Sequence, residues 1–377
     1  MSELSYLEKL LDGVEVEWVT LGSMADIGTG SSNRQDESEN GIYPFYVRSK
    51  NILKSDTFEF DEVAIVIPGE GGIGDIFHYV EGKYALHQRA YRIRITTNAV
   101  DTKFLYYFMS SSFKQYILTK SVGATAISIR KPMLEGFKVP IPSPDNPEKS
   151  LAIQSEIVRI LDKFTALTAE LTAELNMRKK QYNYYRDQLL SFKEGEVEWK
   201  TLGEVAQFKR GTAITQKQTT PGEIPVVANG PIPTYFHSES NRQGETIVIA
   251  RSGAYAGYVS FWDQPIFLTD AFSVHSDLKI VKPKFIYHVL QNKQEHIHAM
   301  KKGAGVPHVR VKEFETYDIP IPPITEQERI VSILDKFDTL TNSITEGLPR
   351  EIELRQKQYE YYRDLLFSFP KPETVSK

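Results

Sequence analysis

The chain has 377 residues, of which 41% are hydrophobic and 25% are charged, so it is long enough for two or three globular domains. It contains no cysteine, which excludes disulfides, thiolate metal sites and a thiol nucleophile. The formal net charge of -4 argues mildly against nucleic-acid binding by the whole surface, unless basic residues gather on one face or other subunits contact the phosphates. The sequence has no long apolar run and no secretion signal, and therefore predicts a cytoplasmic protein without a membrane partner.

The chain is built from two related halves. After a predicted short helix over residues 1–12, the motif EVEWVTLG at residues 15–22 returns as EVEWKTLG at residues 196–203. Each half continues with β-branched strand runs that end in glycine turns, and each closes on the motif PIP, at residues 140–142 and 320–322. The two EVEW motifs lie 181 positions apart, which indicates a duplicated domain rather than a short solenoid repeat.

The framework of the two halves agrees, whereas their loops differ. Strand runs such as EVAIVIPG and ETIVIARS occupy matching places, but the loop at residues 31–51 has little in common with the loop at residues 212–235. A shared framework with unlike loops is typical of two related scaffolds that recognise two different ligands.

A long amphipathic helix is predicted after each half, over residues 150–192 and 325–369. The first of these contains neither Pro nor Gly, and apolar side chains return at steps of four and three, which is the spacing of a coiled-coil seam. The second has four extra residues around positions 347–349, where a local bend or unwinding is expected. The residues predicted to pair the two helices are Ile157, Leu161, Phe164, Leu171, Leu175, Tyr182, Tyr185, Ile330, Leu334, Phe337, Tyr359 and Tyr362.

The ordered double set of motifs resembles the specificity subunit of Type I restriction–modification systems over nearly the whole chain. The motifs are EVEW-x-TLG, PIP as the exit of each half, Q-x-x-I-V-x-I-L-D-K-F and QY-x-YYRD-x-L, each found at the corresponding place of both halves. The resemblance implies an α+β fold with two duplicated mixed α/β target-recognition domains, separated and joined by two long antiparallel coiled-coil helices. The predicted segments are an N-terminal helix at residues 1–12, recognition domains at residues 13–149 and 193–324, long helices at residues 150–192 and 325–369, and a tail at residues 370–377.

The same resemblance implies a non-catalytic function. Each recognition domain would read one half of a bipartite double-stranded DNA target, and the helices would act as a spacer and as the docking site for two modification subunits. No cofactor is expected in this chain, because S-adenosylmethionine, ATP and Mg²⁺ would be bound by the modification subunits and by restriction/translocase subunits. A helix of about forty residues at roughly 1.5 Å per residue spans about 60 Å, which predicts an unread gap between the half-sites.

A search for catalytic motifs finds no convincing candidate. An amino-methyltransferase needs an Asn/Asp-Pro-Pro-aromatic motif, and the one Pro-Pro pair, Pro322-Pro323, lacks both flanking residues. GEGGIG at residues 69–74 follows a strand run, but no strand–loop–long helix unit surrounds it. His296 and His298 are predicted to point to different helix faces, which suits a metal poorly. A single-chain DNA methyltransferase or nuclease with divergent motifs remains an alternative, as does a coiled-coil scaffold without a DNA role.

The predicted DNA contacts are polar side chains in the divergent loops and glycine turns, because base edges are read by such groups. Arg251 is singled out, since it follows the strand run ETIVIA at the domain edge and is expected to contact a guanine edge or a phosphate. The full set of candidates is Ser32, Asn33, Arg34, Arg48, Lys50, His87, Gln88, Arg89, Arg130, Lys131, Lys209, Arg210, Asn229, Arg251, Ser252, Tyr255, Asp270, His308 and Arg310.

Overall fold

A computed structural model describes residues 6–72, 74–120, 128–193, 195–302 and 307–371. The chain forms two compact units: unit 1 comprises Met1–Glu170 and Ile352–Lys377, and unit 2 comprises Leu171–Glu351. Residues 1–5 of the predicted N-terminal helix and residues 372–377 of the predicted tail lie outside the described residues, as do residues 73, 121–127, 194 and 303–306.

Unit 1 is built around a six-stranded mixed sheet. The strand order is β2-β7-β5-β6-β3-β4, in which β3 and β6 run parallel and the other neighbours antiparallel, while β1 and β8 form a separate antiparallel pair. The elements are α1 (Tyr6–Leu11), β1 (Val16–Thr20), β2 (Ala25–Thr29), β3 (Tyr43–Tyr46), β4 (Leu53–Ser55), β5 (Phe60–Pro68), β6 (His78–Leu86), β7 (Ala90–Ile95), α2 (Thr102–Lys120), α3 (Lys131–Glu135), β8 (Lys138–Pro142) and α4 (Pro147–Leu189), whose later part lies in unit 2.

Unit 2 repeats this arrangement with its sheet divided in two. The strand orders are β10-β16-β13-β14 and β12-β11-β15, and β9 pairs with β17. The elements are β9 (Glu198–Thr201), α5 (Leu202–Val205), β10 (Ala206–Arg210), β11 (Ile224–Val227), β12 (Tyr235–His237), β13 (Glu245–Ala250), β14 (Val259–Asp263), β15 (Phe267–Leu268), β16 (Ala271–Ser276), α6 (Pro283–Asn292), α7 (Gln294–Ala299), α8 (Val311–Glu315), β17 (Asp318–Ile321), α9 (Ile324–Asn342) and α10 (Gly347–Leu366), whose later part lies in unit 1.

The division of the second sheet has a local cause. In unit 1 the single strand β6 pairs with β5 along most of its length and with β3 at its end. In unit 2 the corresponding segment is split into β14 and β15, and Pro265 lies between them. Proline has no N–H to donate, so it interrupts the ladder at this point and leaves β15 to pair with β11.

The opening and closing motifs of each half pair with each other. Trp18 of β1 lies opposite Pro140 of β8, and Trp199 of β9 lies opposite Pro320 of β17. Each strand of the pair has one free edge, which is where prolines are tolerated in a sheet. The two motifs therefore bring the beginning and the end of each globular domain together, beside the start of the helix that follows.

A repeated glycine marks a close approach of two backbones. Gly30 directly follows β2 and Gly211 directly follows β10. A Cβ at these positions would lie 1.8 Å from the carbonyl oxygen of Leu86 and 2.6 Å from that of Leu268, respectively. No side chain fits there, so the framework requires glycine at both places.

In unit 1, helix α4 is attached to the recognition domain through buried polar contacts. Gln154 is fully buried, and its side chain accepts a hydrogen bond from the N–H of Asp101 at 2.8 Å. Eight residues further along α4, Asp162 accepts hydrogen bonds from Lys103 at 2.7 Å and from the Tyr107 hydroxyl at 2.6 Å. These bonds satisfy the main chain before α2 and fix the direction in which α4 leaves the domain.

Unit 2 contains the same attachment, with His288 in the place that Tyr107 occupies in unit 1. Gln327 of α9 is fully buried and accepts a hydrogen bond from the N–H of Lys282 at 2.9 Å. Asp335 accepts hydrogen bonds from Lys284 at 2.7 Å and from Nε2 of the buried His288 at 2.9 Å. Burial raises the pKa of Asp335, but the hydrogen bonds from His288 and Lys284 together lower it by more than burial raises it. The net pKa of Asp335 therefore lies below its ordinary value.

The long helices are present, but the second one is interrupted. Helix α4 runs without a break for 43 residues. The single helix expected over residues 325–369 is instead α9 followed by α10, with a break at residues 343–346, beside the four-residue excess where unwinding was expected. At Gly347 φ is +80°, and a Cβ would lie 2.3 Å from the carbonyl oxygen of Thr339, so glycine closes this tight connection.

The two arms pack on each other through aromatic rings. In unit 1, Phe164 of α4 stacks on Tyr362 of α10 at 5.4 Å between ring centroids. In unit 2, Tyr182 and Tyr185 of α4 stack on Phe337 of α9 at 6.0 and 5.7 Å. Positions that increase along α4 meet positions that decrease along the second arm, so the packing is antiparallel, and the predicted α+β fold with paired helices is confirmed.

The remaining predicted pairing residues fall into two groups. Ile157 and Leu161 are fully buried in the unit 1 core together with Leu366 and Phe369 of the second arm, so they face the recognition domain as well as the partner helix. Ile330 and Leu334 lie in the corresponding core of unit 2. The half-buried members of the set are Leu171, Leu175 and Tyr359.

Candidate nucleic-acid interface

In unit 1, three charged side chains meet where strands end. Arg48 lies two residues after β3, Glu70 two residues after β5, and Arg89 directly before β7. Glu70 Oε2 accepts from Arg48 Nη1 at 3.0 Å and from Arg89 Nη1 at 3.3 Å, and all three side chains are 44 to 56% exposed. We call this group strand-end cluster 1. Two guanidinium groups share one carboxylate, which leaves N–H donors facing the solvent.

Other predicted contacts of unit 1 lie beside this cluster. The Gln88 side chain donates to Asn33 Oδ1 at 2.5 Å, and the Ser32 hydroxyl donates to Glu59 at 2.5 Å. The main-chain N–H of Gln88 also bonds the carbonyl of Ser32 at 2.9 Å, which joins the divergent loop to the turn before β7. The remaining candidates of unit 1 are exposed on its surface and are Arg34, Lys50, Arg130 and Lys131.

His87 differs from the other candidates because its side chain is buried. It is only 8% exposed, and its Nδ1 accepts a hydrogen bond from the N–H of Arg89 at 3.0 Å. Burial, and then the positive charges of Arg48 and Arg89, lower the pKa of His87, which favours the neutral ring needed to accept that bond. His87 therefore shapes the turn that presents Arg89 instead of reaching out from it.

Unit 2 has a second cluster at the ends of its strands. Asn229 lies two residues after β11, Ser252 two residues after β13, and Asp270 directly before β16. Asn229 Nδ2 donates to Asp270 Oδ2 at 2.7 Å and to the Ser252 hydroxyl at 3.0 Å, while Ser252 Oγ lies 3.4 Å from the same carboxylate oxygen. We call this group strand-end cluster 2.

Arg251 emerges at the domain edge beside cluster 2, as its position after the ETIVIA strand predicted. Its Nη2 lies 2.5 Å from Asp270 Oδ1, and its main-chain N–H donates to Asn229 Oδ1 at 2.6 Å. The side chain is 46% exposed. Cluster 2 therefore holds both the backbone and the guanidinium group of Arg251 in place, while the rest of the guanidinium stays accessible.

A cationic cleft with a volume of about 820 Å³ lies next to Arg251. Arg210, Arg310 and Lys312 also line it, together with His308. Arg210, Arg251, Arg310 and Lys312 outnumber Glu315, the carboxylate among the lining residues. An excess of cations around a cleft favours an anionic ligand such as a phosphate.

Two residues that sequence reasoning missed support this surface. Glu70 holds cluster 1 together, and Arg242 holds the end of β10. The partly buried Arg242 guanidinium donates to the main-chain carbonyls of Lys209 at 3.3 Å and Arg210 at 2.9 Å, and burial lowers its pKa. The exposed Tyr255, 50% accessible, completes the predicted set at the glycine turn.

The described part of the chain contains no group of three or more His, Cys, Asp or Glu side chains that could hold a metal ion. His298 Nδ1 lies 3.0 Å from the carbonyl of Ala256, while the ring of His296 packs at 5.9 Å from that of Tyr317, so the two face different partners. The GEGGIG segment, of which residue 73 is not described, leads into strand β6 and not into a helix, unlike a dinucleotide-binding loop.

Comparison with known proteins identifies the family. Residues 13–178 and 194–354 match the family model described as Type I restriction modification DNA specificity domain. The full chain is 43% identical to the specificity subunit of the Escherichia coli Type I restriction enzymes EcoR124I and EcoR124II, and the match covers the whole of that protein. This chain belongs to the family of Type I restriction–modification specificity subunits.

Further specificity subunits support the assignment. The specificity subunit of the Escherichia coli Type I restriction enzyme EcoprrI is 37% identical, over 92% of this chain and 93% of that protein. The crystal structure of the specificity subunit from Mycoplasma genitalium has the same fold, with a TM-score of 0.69 at 20% identity over 96% of this chain and 98% of that one.

As a specificity subunit, the chain is non-catalytic, carries two target-recognition domains and is part of a Type I complex that binds DNA. The alternatives of a single-chain methyltransferase or nuclease, and of a scaffold without a DNA role, are therefore excluded. None of the helices in the described residues is long and apolar enough to cross a bilayer.

Proposed function

We propose that this specificity subunit reads a bipartite double-stranded DNA target, one half-site with each unit, while the paired arms set the unread gap. One observation carries this proposal. The two units keep the same framework and the same buried attachment of Gln154 and Gln327 to their domains, but they present different side chains at their strand ends. Equal frameworks with unlike surfaces suit two readers of different sequences.

The charges of the surface support DNA as the ligand despite the net charge of -4. The cleft of unit 2 brings together Arg210, Arg251, Arg310 and Lys312, with Glu315 as the carboxylate that lines it. Cations positioned on phosphates give affinity without sequence preference, and neighbouring polar side chains then select bases. We assign Arg310 and Lys312 to phosphates, and the two strand-end clusters to bases.

The arms support docking of two modification subunits. Tyr184 and Tyr361 are 61 and 66% exposed and belong to the repeated YYRD motif. Each forms a T-shaped contact with the next tyrosine, at 5.4 Å in unit 2 and 5.3 Å in unit 1. Exposed tyrosines are enriched at protein interfaces, and two equal patches fit two copies of one partner.

We assign the remaining chemistry to other subunits of the complex. S-adenosylmethionine would be held by the modification subunits, and ATP and Mg²⁺ by the restriction/translocase subunits. The target DNA of such a complex lies in the cytoplasm, and we place this chain there.

The experiment that tests the proposal is footprinting of the purified modification complex, with and without this chain. We expect two protected patches separated by an unprotected gap when the chain is present, and no specific protection when it is omitted. Isothermal titration of the chain alone with S-adenosylmethionine should give no binding. A single continuous footprint, or one that persists without the chain, would contradict the proposal.

A further inference from the structure

The two strand-end clusters occupy equivalent positions in the duplicated framework. Counted from the ends of β3 and β11, Arg48 corresponds to Asn229; from the ends of β5 and β13, Glu70 corresponds to Ser252. Arg89 and Asp270 both lie directly before the strands β7 and β16. Each cluster is closed by contacts among its own three members.

The surroundings of the clusters are alike, although the clusters differ. The second position of each cluster, Glu70 or Ser252, is followed by a glycine in the left-handed region. These glycines are Gly71 with φ +65° and Gly253 with φ +82°. The residue after the third position is a buried alanine in both, Ala90 and Ala271. Both second positions form an isolated bridge to a later segment, Glu70 with Ser128 and Ser252 with His308.

A purely structural role does not account for this pattern. The side chains of cluster 1 are about half exposed, and ion pairs at such sites contribute little to the stability of a fold. A structural network at equivalent positions has no reason to exchange two guanidinium groups and a carboxylate for an amide, a hydroxyl and a carboxylate. The glycines with positive φ beside both clusters allow the backbone to come close to a ligand.

We propose that the three equivalent positions, 48, 70 and 89 in unit 1 and 229, 252 and 270 in unit 2, are the principal specificity-determining positions of the two readers. The inference rests on the proposed function and deepens it. Arg48 and Arg89 contact base edges, and Glu70 is a positioning residue that orients them. In unit 2, Asp270 contacts a base together with Arg251, and Asn229 and Ser252 position both.

The chemistry of the clusters restricts the bases that each unit selects. Cluster 1 offers guanidinium donors, which match the O6 and N7 acceptors of guanine in the major groove. Asp270 offers a carboxylate acceptor beside the Arg251 donor, which matches a base that presents an exocyclic amino group, cytosine or adenine. The half-site read by unit 1 therefore contains a guanine at the contacted position, and the half-site read by unit 2 a cytosine or an adenine.

The test exchanges the clusters within the assembled modification complex. One variant carries Arg48→Asn, Glu70→Ser and Arg89→Asp, and the reciprocal variant carries Asn229→Arg, Ser252→Glu and Asp270→Arg. Bound sequences are selected from a randomised duplex library and compared with those of the wild-type complex. We expect each exchange to alter one or two positions of a single half-site and to weaken binding to the original target by about 5- to 150-fold.

Two further variants keep the result decisive. Arg89→Gln alone, an exposed single change that the fold tolerates, should relax the choice at one position of the same half-site. Arg94→Asn is the matched control, because Arg94 is 46% exposed and paired with carboxylates of unit 1 but lies near the opposite end of β7 from Arg89. It should leave the selected sequence unchanged.

The outcomes separate the inference from the proposed function. If the wild-type complex selects a bipartite sequence and all cluster variants select the same one, the inference is wrong while the proposed function stands. If the wild-type complex selects no bipartite sequence, the proposed function itself fails. A change in both half-sites from one exchange also overturns the inference.

Discussion

Leu334→Asp is expected to unfold unit 2 at temperatures where the wild-type chain is folded. Leu334 is fully buried in the core shared by α9 and the recognition domain. Removing a buried leucine side chain alone costs about 2–5 kcal/mol, and a carboxylate without a partner adds the cost of its burial. The free energy of unfolding should therefore fall by more than about 3 kcal/mol, measured by urea denaturation with circular dichroism. Leu161→Asp, the counterpart in α4, should act in the same way on unit 1.

Leu167→Asp provides the matched control for these substitutions. Leu167 also lies on α4, but its side chain is 37% exposed, so the charge can remain in water. A change at such a surface position is expected to stay within about 0.5 kcal/mol. If Leu334→Asp or Leu161→Asp has the same free energy of unfolding as the wild-type chain, the arms do not pack as described.

Loss of Tyr184 and Tyr361 together is expected to release the modification subunits. Tyr184→Ala and Tyr361→Ala each remove a repeated side chain from one of the two proposed docking patches. Buried aromatic residues at interfaces commonly contribute 2 kcal/mol or more, which is at least about 30-fold in affinity. Native mass spectrometry should find complexes with one modification subunit for each single variant and the free chain for the double variant.

The control for the docking prediction is Met177→Ala. Met177 lies on α4 and is 50% exposed, but it is not part of the repeated YYRD motif. It should leave the stoichiometry unchanged. Normal assembly of the double tyrosine variant, or loss of both subunits from one single variant, would contradict two independent docking patches.

The arms could be predicted well because helix periodicity is a local pattern and because the pattern occurs in both copies. Helix periodicity depends on neighbours three and four positions apart, and the repeated strings place the two copies in one register. Helix α4 runs over Pro147–Leu189, close to the predicted 150–192. The interruption of the second arm was expected from Gly347 and Pro349, but the loss of helix at residues 343–346 depends on how the chain packs there.

The candidate site was predicted less completely because it forms from distant strand ends. Glu70 was overlooked, since its role depends on Arg48 and Arg89, which lie 22 and 19 positions away along the chain. His87 was named among the candidate DNA contacts, but its side chain is buried and accepts a hydrogen bond from the N–H of Arg89. Arg242 gave no signal at all, because its partners include main-chain carbonyls of the remote strand β10 and the hydroxyl of Ser273.

Exchange of residues 13–142 for the same region of a related specificity subunit tests the central claim most directly. The hybrid chain is assembled with the modification subunits, and the sites that it directs to be methylated are read by sequencing. Because each unit carries its own core and its own surface, we predict that one half of the target changes while the other half and the gap are retained. A change in both halves, or in neither, would contradict the presence of two independent readers.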